Sequence, residues 1–235
     1  MATITQPDCL YCKSRINSIF SELNTENVNE LNSFKFCRMY KKGETIFEEG
    51  AYPQGLHCVN SGKIKVTQDG ADGREQIIHL AKNGDVIGHR ALLGDDTYSG
   101  TAVAMEDSSV CFIPSKVFIG MVEHNAKLAF KIIHLFSEEL KAADKNITDI
   151  AQKTVKERLA QSILMLNKSY GFESDNKTLN IAISRNELAS IVGTARETVT
   201  RALLELSKDE IVGLVGKKIK ILDRERLIYT ANLFD

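Results

Sequence analysis

The chain has 235 residues, of which 43% are hydrophobic and 26% charged, and its formal net charge is −1. This length favours two domains with ordinary globular cores. No apolar run approaches the roughly 20 residues of a membrane span, and the opening stretch MATITQPDCLYC lacks a signal-peptide core. We therefore expect a cytoplasmic protein without a membrane partner. Because P-loop, HExxH and GxSxG motifs are absent, we expect no enzymatic activity.

Short β-type runs separated by glycines extend from Phe36 to Pro114. The runs are ETIFEEG, LHCVNSGKIKVTQ, EQIIHLAKNGDVIG and GTAVAMEDSSVCFIP. Strands at this spacing indicate an antiparallel sandwich or barrel, and a small barrel can hold a ligand in its interior. We assign residues 1–123 to an N-terminal segment and a sensor barrel.

A long helical section follows, in which apolar residues recur at a 3-4-3-4 spacing over three heptads. This spacing predicts a coiled-coil seam, and hence a homodimer joined through residues 124–153. The alternative is a helix that packs on its own barrel. The predicted dimer contacts are Ile133, Phe136, Leu140, Ala143, Ile147 and Ile150, and Thr154 continues the spacing.

Residues 154–235 have the pattern of a helix-turn-helix domain. Ser184 with Glu187, and Thr194 with Glu197, have the spacing of capping boxes, and Gly193 between them suits a sharp turn. In this motif the second helix enters the DNA major groove, where arginine recognises guanine and glutamate recognises cytosine. The alternative for such a charged helical face is an ordinary solvated, salt-bridged surface.

Two apolar runs in IVGLVGKKIKILD surround Gly216, Lys217 and Lys218 and predict a β-hairpin with a basic tip. A helix-turn-helix followed by such a hairpin is a winged helix. Because the net charge is close to zero, any DNA affinity must come from local placement of charge.

Three segments of the chain resemble one known family. They are GETIFEEG…GLHCVNSGKIKV and NGDVIGHRALL in the barrel region and ARETVTRALLEL in the second helix. From roughly Cys9 to its C-terminus, the chain is similar to the CRP/FNR family of bacterial transcription regulators. The resemblance implies an α+β fold, with an N-terminal antiparallel β-barrel of the cyclic-nucleotide-binding jelly-roll type, a long dimerisation helix and a C-terminal winged helix-turn-helix domain.

The run R-E-T-V-x-R matches the cyclic-AMP receptor branch of that family. The resemblance implies a homodimer on double-stranded DNA with palindromic TGTGA-like half-sites, and a contact with RNA polymerase if the protein is an activator. It assigns base readout to Arg196, Glu197 and Arg201. The expected contacts with the DNA backbone are Ser184, Arg185, Thr194, Thr200, Lys217 and Lys218.

The sensor end differs from the cyclic-nucleotide-binding members. Those members carry Gly-Glu after the GDxxG turn and Arg-Ser about ten residues later, whereas here Gly88 is followed by His89, and Ser99 and Gly100 replace Arg-Ser. Without the arginine, a phosphate loses its charge-assisted partner, so we do not expect cyclic AMP. A different effector would contact a pocket formed by Gly88, His89, Arg90, Ser99 and Thr101.

The cysteines offer a second kind of sensor. Cys9, Cys12 and Cys111 match three ligand positions of the iron–sulfur cluster in oxygen-sensing FNR proteins, and Ser18 stands at the fourth. Because a cluster takes four thiolates, Asp8, Cys37 or a small external ligand would have to complete the set. Cys37 and Cys58 are predicted to be small core residues, and an odd number of cysteines does not suggest a disulfide framework. Alternatively, Cys9 and Cys12 form a structural or redox-active pair without metal.

Haem is a third option, although none of the five histidines has a spacing that identifies an axial ligand. The sequence thus predicts a homodimeric DNA-binding regulator that responds to a small-molecule or redox signal. The alternative function is a regulatory module that does not bind DNA and controls a partner protein through its barrel.

Overall fold

The computed structural model describes residues 6–70, 73 and 75–232. It contains both helices and antiparallel sheets, and the chain divides into two compact units. One unit comprises residues 1–73 and 77–140, and the other comprises residues 74–76 and 141–235. No helix of the described residues is both long and apolar enough to cross a membrane.

The N-terminal unit is built around two four-stranded antiparallel sheets, as the glycine-separated runs predicted. In chain order its elements are α1 (Lys13–Ile16), α2 (Thr25–Phe34), β1 (Phe36–Tyr40), β2 (Thr45–Phe47), β3 (Gly55–Ser61), β4 (Ile64–Asp69), β5 (Glu75–Ala81), β6 (Val86–Ile87), α3 (His89–Gly94), β7 (Thr101–Ala104), β8 (Ser108–Pro114) and α4 (Ser115–His124). The strand orders are β1-β8-β3-β6 and β2-β7-β4-β5.

Two apolar clusters hold this unit together. One includes Tyr40, Val59, Ile64, Ile87 and Val110, which come from strands of both sheets. The other packs helices against the β1-β8-β3-β6 sheet, and its buried members include Phe20, Leu56, Ile113, Phe118 and Leu128. Removing these side chains from water is the main force that brings the elements together.

The long helix α5 (Ala126–Gln152) has two kinds of apolar residue. Leu128 and Ile132 are buried, and Leu135 and Phe136 pack partly against the second cluster. Phe136 therefore belongs partly to the core, which agrees with the alternative that this helix packs on its own barrel. Thr154 lies beyond the helix and caps the next one. The other predicted seam positions are exposed on α5: Ile133, Leu140, Ala143, Ile147 and Ile150.

The C-terminal unit contains the predicted winged helix-turn-helix. Its further elements are α6 (Val155–Tyr170), α7 (Arg185–Val192), α8 (Arg196–Lys208), β9 (Val212–Val215), β10 (Lys218–Ile221) and α9 (Arg224–Thr230). The strands β9 and β10 form the hairpin, and Gly216 at its turn has φ of +59°. The apolar faces of three helices meet in the core of this unit through the fully buried residues Leu159, Ile163, Leu188, Val199, Leu203 and Leu206.

Candidate DNA-binding surface and sensor region

The start of α7 is fixed by the predicted capping box. The Ser184 Oγ accepts a hydrogen bond from the Glu187 amide at 3.2 Å, and the Glu187 Oε2 accepts one from the Ser184 amide at 2.8 Å. The helix ends at Gly193, which has φ of +71° and whose amide donates to Ala189 O at 2.9 Å. A left-handed residue at this position is a common helix end.

The second predicted capping box is wrong. Helix α8 starts at Arg196 with Ala195 as its N-cap, and no side chain caps it. Thr194 precedes this N-cap, and its amide donates to Ala189 O at 3.2 Å in the terminal turn of α7. The turn between α7 and α8 is therefore one residue longer than predicted, because the Thr-x-x-Glu spacing had placed the N-cap at Thr194.

The outer face of α8 carries the three residues predicted to read bases. Arg196, Glu197 and Arg201 are all exposed, while Val199 and Leu203 are fully buried on the opposite face. Within the described part of the chain, none of the three charged groups forms an ion pair. The three residues thus have no salt bridge in this structure, and their exposure fits both a solvated surface and a surface that reads bases. The exposed strip continues along the helix through Thr200, Leu204, Glu205 and Lys208.

A groove next to this face is lined by residues from α7, the start of α8 and the hairpin turn. The Arg185 Nη1 is buried there without a hydrogen-bond partner, and burial lowers the pKa of Arg185. Lys217 is exposed at the turn, whereas the Lys218 Nζ pairs with Glu173 Oε1 at 2.6 Å. The structure thus places Arg185, Arg196 and Lys217 along one groove and gives Lys218 a protein partner.

The turn between α7 and α8 is held by a residue that the sequence analysis missed. Arg158 of α6 donates to Val192 O at 3.1 Å, to Gly193 O at 3.5 Å and to Lys153 O at 2.8 Å. Carbonyls at a helix end lack intrahelical partners, and the guanidinium supplies donors to them. No local pattern could have identified this role of Arg158, because its two acceptors in the turn, Val192 and Gly193, lie 34 and 35 residues away.

The predicted effector residues have different contacts in this structure. The His89 Nε2 contacts Glu139 Oε2 at 3.1 Å, and the Arg90 Nε donates to the same oxygen at 2.8 Å, so both side chains contact helix α5. Ser99 is exposed, and Thr101 Oγ1 accepts a hydrogen bond from the Glu49 amide at 3.1 Å. Glu139, which is distant in sequence, thus contacts both basic groups in this structure.

Aromatic rings fill the space beside Gly88. Tyr98 stacks on Phe47 with ring centroids 3.8 Å apart, and a Cβ on Gly88 would lie 2.8 Å from the Tyr98 ring. His57 lies between Phe47 and Phe112, and burial lowers the pKa of His57 to about 4. The neutral imidazole is thus part of an aromatic cluster in the barrel.

The cysteines depart from the predicted arrangement. Cys37 and Cys111 form a disulfide, so Cys37 is not a free core residue and Cys111 is not a free thiol. Free Cys9, Cys12 and Cys58 line a small cavity together with Cys111. With Cys111 in the disulfide, no three His, Cys, Asp or Glu side chains in the described ranges are placed to hold a metal ion. The predicted ligand set of Cys9, Cys12 and Cys111 is thus not assembled in this structure.

Comparisons with known proteins agree with this architecture. Residues 37–125 match the cyclic nucleotide-binding domain, and residues 157–229 match the Crp-like helix-turn-helix domain, which together cover more than half of the chain. The chain belongs to the CRP/FNR family of DNA-binding transcription regulators, which are not enzymes and which bind DNA as dimers.

The named relatives include regulators with different names. The chain is 28% identical over 229 residues to the fumarate and nitrate reduction regulatory protein of Vibrio cholerae, covering 96% of this chain and 90% of the relative. It is also 28% identical over 199 residues to the cyclic AMP receptor protein of Thermus thermophilus, covering 83% and 88%. The structure of FixK2 from Bradyrhizobium japonicum superposes with a TM-score of 0.76 at 25% identity, over 86% of this chain and 99% of that one.

Proposed function

We propose that the protein is a homodimeric regulator that reads palindromic TGTGA-like half-sites through Arg196, Glu197 and Arg201. The observation that supports this proposal most directly is the exposed α8 face, on which two arginines and a glutamate have no ion-pair partner among the described residues. Arginine donates two hydrogen bonds to guanine O6 and N7, and glutamate accepts one from cytosine N4. Unpaired groups keep these donors and acceptors available for bases.

Contacts with the DNA backbone would come from the groove beside α8. An exposed Lys217 and the buried, unpaired nitrogen of Arg185 supply positive charge there, next to Arg196. Ser184, Thr194 and Thr200 add hydroxyls, although the Thr200 Oγ1 donates to Arg196 O at 2.7 Å in this state. Lys218 would contribute less, because Glu173 neutralises it. Phosphate contacts of this kind fix the register of a protein on the duplex.

The homodimer would form through the exposed apolar face of α5. Ile133, Leu140, Ile147 and Ile150 are each at least 60% exposed in the single chain, and such a row of apolar residues is typical of a surface that pairs with a second helix. Two-fold symmetry then matches two half-sites. We expect Ile147→Asp to shift the protein from dimer to monomer, as measured by sedimentation velocity. A dimer that persists would place the interface elsewhere.

The signal would be a small molecule other than cyclic AMP, or a change in redox state. Ser99 and Gly100 occupy the positions where cyclic-nucleotide-binding members carry Arg-Ser, and Arg90 pairs with Glu139. A cyclic phosphate would therefore lack a bidentate cation. The sulfur-lined cavity supports a redox input.

Fluorescence anisotropy on a palindromic TGTGA duplex and on a random duplex tests base readout. Arg196→Ala should weaken specific binding by roughly 1–3 kcal/mol per contacted base pair and leave random binding less affected. Arg224→Ala, which removes an equal charge from the exposed start of α9, serves as the control. Equal losses on both duplexes would reject the base-readout assignment. The absence of duplex binding by the unmodified protein would favour the alternative, a module that controls a partner protein through its barrel.

A further inference from the structure

One apolar side chain lies on the charged outer face of α8. Leu204 is 57% exposed, whereas Leu203 and Leu206 of the same helix are fully buried in the core of the C-terminal unit. Among the described residues that line the outer strip of α8, Leu204 is the only one whose side chain is a hydrocarbon. It therefore keeps an apolar area in water that a ligand of the same strip could bury.

Leu204 lies in the middle of this strip rather than at its margin. Residues three and four positions apart are neighbours on a helix, so Leu204 lies beside both Arg201 and Thr200. Two helical turns separate it from Glu197, and this interval changes the direction of a side chain by only about 20°. A helix that brings Glu197 and Arg201 to the base edges of the groove therefore brings Leu204 there as well.

The groups around Leu204 are compatible with a contact to DNA. The Thr200 Oγ1 donates its hydrogen to Arg196 O at 2.7 Å, so this hydroxyl is turned towards the helix backbone. Glu205 is the carboxylate next to Leu204, and its Oε2 lies 3.7 Å from Lys156 Nζ on α6. This cation partly offsets the negative charge that would otherwise face the phosphates.

The DNA major groove offers an apolar group that suits such a side chain. Each A·T pair presents the 5-methyl group of thymine there, beside the hydrogen-bonding groups of the base edges. Apolar side chains contact this methyl group when proteins read bases in the groove. The contact removes apolar surface of both molecules from water, which is favourable in proportion to the area buried. The chemistry of Leu204 thus matches a feature of the bases that hydrogen-bonding side chains do not recognise.

We propose that Leu204 is a further specificity-determining residue, which recognises the 5-methyl group of one thymine in each half-site. The proposal rests on the base readout proposed above and adds one base to it. Leu204 and Glu197 are about 10 Å apart along the helix, and base pairs are stacked about 3.4 Å apart. The thymine therefore lies within about three base pairs of the pair that Glu197 contacts.

Uracil substitution tests this proposal, because uracil lacks the methyl group and keeps every hydrogen-bonding group of thymine. In a palindromic TGTGA duplex, deoxyuridine replaces one thymine at a time in one half-site and in the base pairs that flank it. Fluorescence anisotropy gives the Kd of the full-length wild type and of Leu204→Ala for each duplex. For wild type, uracil at one position should weaken binding roughly four-fold, the value for one methyl group lost from an apolar contact. For Leu204→Ala, the same uracil should change the Kd little.

Three results would overturn the assignment. The first is a uracil effect of equal size in wild type and Leu204→Ala, which would assign the methyl group to another side chain or to the shape of the duplex. The second is a wild-type Kd that uracil changes at none of the positions. The third is dissociation of the Leu204→Ala dimer in sedimentation velocity, which would place this leucine in a contact between protein chains.

Two further variants show whether the effect belongs to Leu204. Leu222→Ala shortens a leucine that is 47% exposed beyond the end of β10, and it should respond to each uracil as wild type does. Leu204→Met keeps an apolar side chain and should keep a uracil effect at the same position. Because Leu204 is exposed, both Leu204 variants should have the circular dichroism of wild type.

The same measurements separate this proposal from the proposed function. If wild type binds TGTGA and random duplexes equally, the proposed function fails and the role of Leu204 fails with it. If wild type prefers the TGTGA duplex but shows no uracil effect that depends on Leu204, only the role of Leu204 fails.

Discussion

Helix α8 and the N-terminal barrel unit position their charged groups in different ways. On α8, Val199 and Leu203 are buried on one face, and Arg196 and Arg201 are exposed on the opposite face. The helical period of 3.6 residues alone sets which residues lie on each face. In the barrel unit, His89 is placed by Glu139, which lies 50 residues away. Local periodicity therefore predicts which side chains of α8 are exposed. It does not predict where the charged side chains of the barrel unit lie.

The largest expected effect tests whether helical periodicity determines which residues of α8 are buried. Leu203→Ala removes a fully buried side chain and should lower the free energy of unfolding by roughly 2–5 kcal/mol. Leu204→Ala changes the next residue, which is 57% exposed, and should have an effect within about 0.5 kcal/mol. Urea unfolding followed by circular dichroism measures both. Similar losses of stability for the two variants would show that the position of a residue around α8 does not determine its contribution to stability.

A second prediction tests whether a tertiary contact places His89 and Arg90. Burial raises the pKa of Glu139, but hydrogen bonds and charge from His89 and Arg90 outweigh it and lower the pKa to about 2. We expect Glu139→Gln to lose roughly 1.5–3 kcal/mol of stability at neutral pH, the range for hydrogen bonds to a charged group. Chemical denaturation at pH 7 measures the loss, and Glu138→Gln, at the exposed neighbouring position, is the control.

The pH dependence of the same variant follows from the sign of the shift. The folded-state pKa of Glu139 is depressed, so its stabilisation is present above the ordinary value of 4.5 and is lost as pH falls towards about 2. The difference in unfolding free energy between wild type and Glu139→Gln should therefore shrink over this window. A difference that stays constant from pH 7 to pH 2 would contradict the ionic contact.

The smallest expected effect compares the two predicted capping boxes. Ser184→Ala removes a hydroxyl that caps α7 and should cost about 1 kcal/mol. Thr194→Ala should cost less, since Thr194 is not the N-cap of α8. Thermal unfolding of the two variants gives the comparison. A larger loss of stability for Thr194→Ala would mean that Thr194, as the Thr-x-x-Glu motif predicted, is the N-cap of α8.

Much of the molecule could be predicted from the sequence because the relevant interactions are local. Helical period, glycine turns and the Ser184–Glu187 spacing act within a few residues, and they determined the two-sheet barrel region, the long helix, the winged helix-turn-helix and the exposed face of α8. The strand register that sets Cys111 opposite both Cys37 and Cys58 was not available from these patterns. Strand pairing joins segments far apart in the chain, and no residue spacing specifies which positions face one another.

Tertiary structure decided the rest. The partner of His89 and Arg90, the Val192 and Gly193 acceptors of Arg158, and the disulfide of Cys111 all join residues that are distant in sequence. Phe136 shows the same limit, because it follows the apolar spacing of α5 while its partial burial depends on the apolar cluster against which it packs. A sequence specifies directly the interactions whose partners lie within a helical turn or a tight turn. Contacts between distant segments depend on how the whole unit packs, and only the folded structure shows them.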